Sequence, residues 1–167
     1  MNLFLLRHGL AAERGTGKHP TDADRPLTGR GERKLRRVAD ALIAMELSFD
    51  RIFSSPYLRA RQTAELIAHA LKAAKILEFT DTLTPGGTSK EVVEFLDRLK
   101  PVPDRVLLVG HEPNMSDLIS LLVAGESNLS VAMKKGGLCK LSADVLSPRR
   151  CASLEWLLTP KQMGLMA

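Results

Sequence analysis

Leu3-Phe4-Leu5-Leu6-Arg7-His8-Gly9 is an apolar run of four that stops at a cation, an imidazole and a glycine. Val106-Leu107-Leu108-Val109-Gly110-His111 has the same form far along the chain. Runs this short and this apolar read as strands buried on both faces, with polar groups waiting at their carboxyl ends. Between and beyond them, strand-like and helix-like patterns alternate. Phe49 to Phe53 and Ile76 to Phe79 are further strand candidates, and two more lie near 137–142 and 152–158. This order predicts an α/β fold: a three-layer α/β/α sandwich with a mostly parallel central sheet, in a single domain over 1–167. In such folds ligands gather beyond the carboxyl ends of the strands, which is where Arg7-His8 and His111 fall.

The helices announce themselves by caps and spacing. Thr28 reads as an N-cap, followed by Leu35, Val38, Ala39, Leu42 and Ile43 on one face. Ser55 with Pro56 at the first helical position predicts the next helix start, with Ala60, Ala64, Ile67 and Leu71 as its buried stripe. The amides after Ser55 would then offer an anion a helix N-terminus. Ser89 is the expected cap of a third helix carrying Val92, Phe95, Leu96 and Leu99, and Pro113 opens a fourth with Met115, Leu118, Ile119 and Leu122. Residues 10–27 are polar and rich in Gly, Pro and Asp, and read as a loop.

At 167 residues, 44% apolar and 26% charged, the composition is that of a globular domain with a core of useful size. No signal peptide or membrane span is legible, and Cys139 and Cys151 have no disulfide or metal spacing, so a cytoplasmic location is expected. The net charge of +5 lies in the first part: residues 1–61 hold 12 Lys/Arg against 7 Asp/Glu, whereas 62–167 hold 12 of each. Such a field draws phosphate or an acidic protein surface. With aromatics at 4% and not interleaved with the basic residues, nucleic acid is not the expected partner, and neither is a membrane.

Phosphoryl transfer onto a side chain needs a nucleophile with a free lone pair and cations for the phosphate oxygens. A neutral imidazole supplies the first near pH 7, and arginine holds two phosphate oxygens in one plane. Arg7-His8, Arg59 and His111 bring residues of these types from three separate segments to one rim of the predicted sheet. No metal-ligand spacing is present, and no metal or other cofactor is expected.

Three motifs together resemble the histidine phosphatase superfamily, the phosphoglycerate-mutase-like proteins: Arg7-His8-Gly9 after a strand, Ser54-Ser55-Pro56-Tyr57-Leu58-Arg59-Ala60, and Val109-Gly110-His111. The short length, Arg25-Pro26-Leu27-Thr28, Leu83-Thr84-Pro85-Gly86-Gly87, Gly110-His111-Glu112-Pro113, Lys134-Lys135-Gly136-Gly137 and Trp156-Leu157-Leu158-Thr159-Pro160 resemble its phosphohistidine phosphatase SixA branch. The resemblance implies a transient phosphohistidine on His8, with Arg7, Arg59 and His111 around the phosphate. It implies as substrate a phosphorylated histidine on a signalling protein. A small-molecule phosphomonoesterase of the same superfamily and a catalytically silent phosphohistidine-binding module are the alternatives.

One departure bears on chemistry. The resemblance implies a glutamate proton donor, as in mutases and many phosphatases of the superfamily, near the position of Thr82, and threonine is a poor general acid. Asp81 is a candidate substitute, although a surface aspartate is the simpler reading. Arg61, His19 and His69 read as solvated or structural, and Lys134 and Lys135 as either pocket rim or solvated turn. The arginines at 30, 33, 36 and 37 form a candidate docking face for an acidic partner.

Overall fold

β-Branched and leucine side chains fill both faces of the central strands, and this forces helices onto both sides. The computed structural model describes residues 1–15, 18–126 and 128–166. Its strands are β1 (Asn2–Arg7), β2 (Arg51–Ser54), β3 (Leu77–Phe79), β4 (Arg105–Gly110), β5 (Leu138–Ser142) and β6 (Ser153–Leu158). They form one six-stranded sheet in the order β3-β2-β4-β1-β5-β6. The β3/β2, β2/β4 and β4/β1 pairs are parallel, and β5 pairs antiparallel with both β1 and β6. The expected mostly parallel sheet is therefore present, with β5 alone running against the rest.

The helices are α1 (Gly29–Ala44), α2 (Leu58–Ala70), α3 (Ser89–Asp97), α4 (Asn114–Ala124) and the single turn α5 (Pro160–Met163). Alternate residues of β1 face opposite layers. Leu3 and Leu5 join a core with Val92, Leu96, Leu118 and Ile119 of α3 and α4. Phe4 and Leu6 join Val38, Leu42, Ala64 and Ile67 of α1 and α2, together with Met163 of α5. These are the three layers read from the sequence.

Local chemistry sets most boundaries. Thr28 caps α1 by accepting from Gly31 N–H. Gly31 itself has no room for a side chain, because a Cβ there would collide with the Leu10 carbonyl oxygen, so α1 packs directly on the segment after His8. Ile43, expected in the α1 stripe, is half exposed. Two caps differ from expectation. α3 is capped by Thr88 rather than Ser89, because Glu91 lies three residues on and closes a reciprocal capping box. α2 starts at Leu58, not at Pro56: Tyr57 is extended, with ψ of 132°, and no side chain caps the helix. The Leu58 N–H is taken by the Ala23 carbonyl, so the 20s loop covers this helix start.

Candidate active site

The sheet register brings the motifs together. Arg7 lies opposite Gly110 and Ser54 opposite Val109, so the chain leaves β1, β2 and β4 at one level of three adjacent strands. His8, Ser55 and His111 are the next residues. The His8 N–H donates to the Gly110 carbonyl at 3.0 Å and the Ser55 N–H to the Val109 carbonyl at 3.0 Å, prolonging both pairings into the site. The Gly136 N–H donates to the carbonyls of Arg7 and His8, and the Arg7 guanidinium donates to the Met133 carbonyl at 2.7 Å. The turn before β5 thus closes one side.

His8 (6% exposed), Arg59 (2%) and His111 (1%) are buried, and Arg7 is partly buried. His8 Nδ1 lies 2.7 Å from the Gly9 carbonyl oxygen. A carbonyl only accepts, so Nδ1 carries the proton and Nε2 keeps its lone pair. That lone pair accepts from Arg59 Nε at 3.3 Å. The His8 and His111 rings are 4.9 Å apart between centroids. Burial pushes the His8 pKa down to about 3, aided by the charges of Arg59, Arg7 and Lys135 and opposed by the Gly9 hydrogen bond. Burial and the neighbouring His8 and Arg59 push that of His111 to about 2. Both rings are therefore neutral at pH 7. Burial also lowers the pKa of Arg7 and of Arg59. Four atoms are buried without a hydrogen-bond partner among the described residues: Arg7 Nε, His111 Nδ1, Glu112 Oε1 and Asn114 Oδ1. All four belong to this rim or to the first residues of α4, and an anion is a natural partner for the two nitrogens.

The four residues singled out in the sequence are thus brought together. Asp81 is not joined to them: its side chain is exposed in the turn Asp81–Leu83, and among the described residues no hydrogen bond or ion pair connects it to the four. Several neighbours carried no sequence signal of their role. Asp22 accepts from Arg59 through its carboxylate (2.9 Å) and through its backbone carbonyl (2.7 Å), and also pairs with Arg14 and Arg25. Burial alone would raise the Asp22 pKa, but its hydrogen bonds to Arg14 and Arg25 and the Arg59 guanidinium hold it at about 2. Thr63 links α2 to the turn after His8, its hydroxyl accepting from Gly9 N–H (3.1 Å) and donating to the Arg59 carbonyl (2.6 Å). Ser55, expected as a cap, instead lies 2.9 Å from His111 Nε2 and accepts from Tyr57 N–H. Glu112 is held by the Ser116 hydroxyl, and its negative charge acts on Arg7. Only the quoted resemblance at Arg25-Pro26-Leu27-Thr28 and Gly110-His111-Glu112-Pro113 touched this surrounding.

Two buried histidines and two arginines meeting at the carboxyl ends of parallel strands define a phosphoryl-transfer class of α/β protein. The family model described as the histidine phosphatase superfamily (branch 1) matches residues 3–84. An uncharacterised protein of Picosynechococcus sp. is 36% identical over 142 residues, which is 84% of this chain and 84% of that protein. Phosphohistidine phosphatase SixA of Escherichia coli (strain K12) is 33% identical over 76% of this chain and 77% of its own. A solved structure of the protein histidine phosphatase SixA complexed with tungstate superposes with a TM-score of 0.82 at 28% identity, covering 96% of this chain and 98% of that one. The chain belongs to the histidine phosphatase superfamily, and within it to the SixA-like branch. It is a phosphatase of that superfamily. Among the described residues no helix is long and apolar enough to cross a membrane.

Proposed function

We propose that this chain is a phosphohistidine phosphatase that acts on a phosphorylated protein, through a phosphohistidine intermediate on His8. The observation that carries the reading is the His8 lone pair. Nε2 is unprotonated, faces the Arg59 guanidinium at 3.3 Å, and sits between the Arg7 and His111 segments. In the proposed reaction a phosphoryl group enters between His8 and Arg59, and Nε2 attacks phosphorus in line as the bond to the substrate nitrogen breaks. Arg7 and Arg59 neutralise its oxygens. In this reading the Ser55 hydroxyl, which accepts from Tyr57 N–H, donates to His111 Nε2, and the His111 Nδ1–H then serves an oxygen of the phosphate.

No external acid is required for P–N cleavage. A phosphohistidine ring that carries a proton on its other nitrogen departs as neutral imidazole. The second step is alike: water attacks phosphorus, the His8–P bond breaks, and His8 leaves as a neutral ring because Nδ1 still holds its proton against the Gly9 carbonyl. Water's protons go to the released phosphate and to solvent. An alkyl ester differs, since its alkoxide needs a proton as it departs. This chain has Thr82 near the place where the family resemblance puts the glutamate of many relatives, and the reading makes no use of Asp81. The relatives named as phosphohistidine phosphatases support the substrate assignment. Free Cys139 and Cys151 accord with a cytoplasmic setting.

The test compares a phosphohistidine peptide with an alkyl phosphate under single-turnover quench, with mapping of the trapped phosphoryl group. Faster cleavage of the peptide and label on residue 8, absent in His8→Ala, are expected. Faster cleavage of the alkyl ester would overturn the reading and direct attention to Glu112 as an acid. Binding without turnover of either compound would favour a silent phosphohistidine-binding module.

A further inference from the structure

The outer side of α1 is divided. Arg30, Arg33, Lys34 and Arg37 follow the spacing i, i+3, i+4, i+7, so they form one stripe along the helix. All four are exposed, and none has an ion-pair partner among the described residues. Arg36 lies on another side, where it lines a groove against α2 together with Glu32, Asp40 and Glu65. Evolution of a merely soluble helix face has no need of such sorting, since mixed charges serve solubility as well.

The stripe does not end at α1. Lys34 and Arg37 line a surface hollow with Pro160, Lys161 and the exposed Leu165. Gly136 abuts Pro160 and Leu35, so the turn carrying Lys135 is continuous with that hollow. Lys135 is also exposed, and its neighbour Gly136 donates its N–H to the carbonyls of Arg7 and His8, which sets Lys135 at the rim of the phosphate pocket. A band of positive charge therefore runs from the catalytic anion site, over Lys135, to Lys161 and the α1 stripe.

We propose that this band is the docking surface for the protein substrate, and that it recognises an acidic segment flanking the phosphorylated histidine. The inference rests on the phosphohistidine reading above and adds what that reading lacks, a means of choosing the protein. The partner's acidity follows from complementarity with uncompensated cations; Leu165 offers it one apolar contact. Nucleic acid fits less well, because Leu165 is apolar but not aromatic and, among the described residues, no aromatic ring lines the hollow for base stacking. The dimensions suit a short segment. Arg30 to Arg37 spans about 10 Å at about 1.5 Å per residue, and an extended arm of about ten residues reaches about 33 Å.

The test uses three synthetic peptides with one phosphohistidine each, carrying Glu/Asp, Gln/Asn or Lys at about five to ten positions from it. Wild-type protein should cleave the acidic peptide with a kcat/KM about tenfold above the neutral one at low salt, and the advantage should fade as salt screens it. Arg33→Glu/Arg37→Glu should erase the advantage while leaving the neutral peptide unchanged, which also verifies folding. Arg36→Glu, on the mixed side, should retain it. Equal rates on acidic and neutral peptides, or an advantage that survives the double reversal, would overturn the docking surface while leaving the phosphatase reading intact. Tighter binding of a labelled oligonucleotide than of the acidic peptide at 0.15 M salt would overturn it in favour of nucleic acid. Failure to cleave even the neutral peptide would sink the phosphohistidine reading, and the docking surface with it.

Discussion

Protonation of the unfolded chain offers a direct reading of the buried pair His8 and His111. Both rings are held neutral in the folded protein, with pKa values pushed to about 3 and about 2 from 6.5. Folded pKa values below the unfolded ones mean that the unfolded state binds more protons across the interval, so stability falls as pH drops from about 6.5 towards 3. Between pH 6 and 5 a free imidazole goes from about three-quarters to nearly fully protonated. Each ring then contributes close to one proton of difference, at about 1.36 kcal/mol per proton per pH unit. The two together should remove about 2 kcal/mol of unfolding free energy over that single unit. Asp22, held at about 2, is silent here because its contribution is lost only as pH falls below its unfolded value near 4. The assay is urea unfolding at half-unit intervals from pH 7 to 5 in phosphate-free buffer, on wild type, His8→Asn, His111→Asn and the double variant. Each single variant should lose about half of the slope, and the double variant nearly all of it. A wild-type slope equal to that of the double variant would refute the neutral buried pair, and with it the free lone pair on His8.

Two further outcomes follow from particular contacts. Arg59→Lys keeps the charge but loses the planar fork that reaches His8 through Nε and Asp22 through both terminal nitrogens; turnover of an aryl phosphate should fall by about 10²-fold or more, in kcat rather than in folded content by circular dichroism. Gly31→Ala places a methyl group against the Leu10 carbonyl and should lower stability by about 1–3 kcal/mol, read as a shift in the urea midpoint with an unchanged slope.

The strand ends were legible because each apolar run stops at a residue that cannot continue it. Leu6-Arg7 and Gly110-His111 mark the level at which the sheet ends, and the register places them side by side. Arg59 was legible only through its motif, since a helical arginine is ordinarily a surface residue. The cap of α3 was misplaced by one residue although the discriminating signal lay in the sequence: Glu91 is three residues after Thr88, whereas Ser89 has Val92 at that distance. The α2 start was misjudged for a different reason. Ser55 is a good cap in isolation, but its hydroxyl is drawn to His111, and the intervening Tyr57 is extended. Asp22 was hidden by ambiguity. Asp24 stands two residues away in the same polar loop and serves only a local turn with Thr21, while Asp22 meets Arg59; nothing local separates them.

The place of β5 has a consequence for how far this protein can be trimmed. Every side chain assigned to chemistry lies within the first 111 residues, yet Arg7 rests on the Met133 carbonyl, and Gly136 grips the backbone of both Arg7 and His8. A fragment ending after α4 would carry the full set of reactive groups on a β1 stripped of its neighbour, an open edge with a loose arginine. The later third of the polypeptide is the jig that holds the tool.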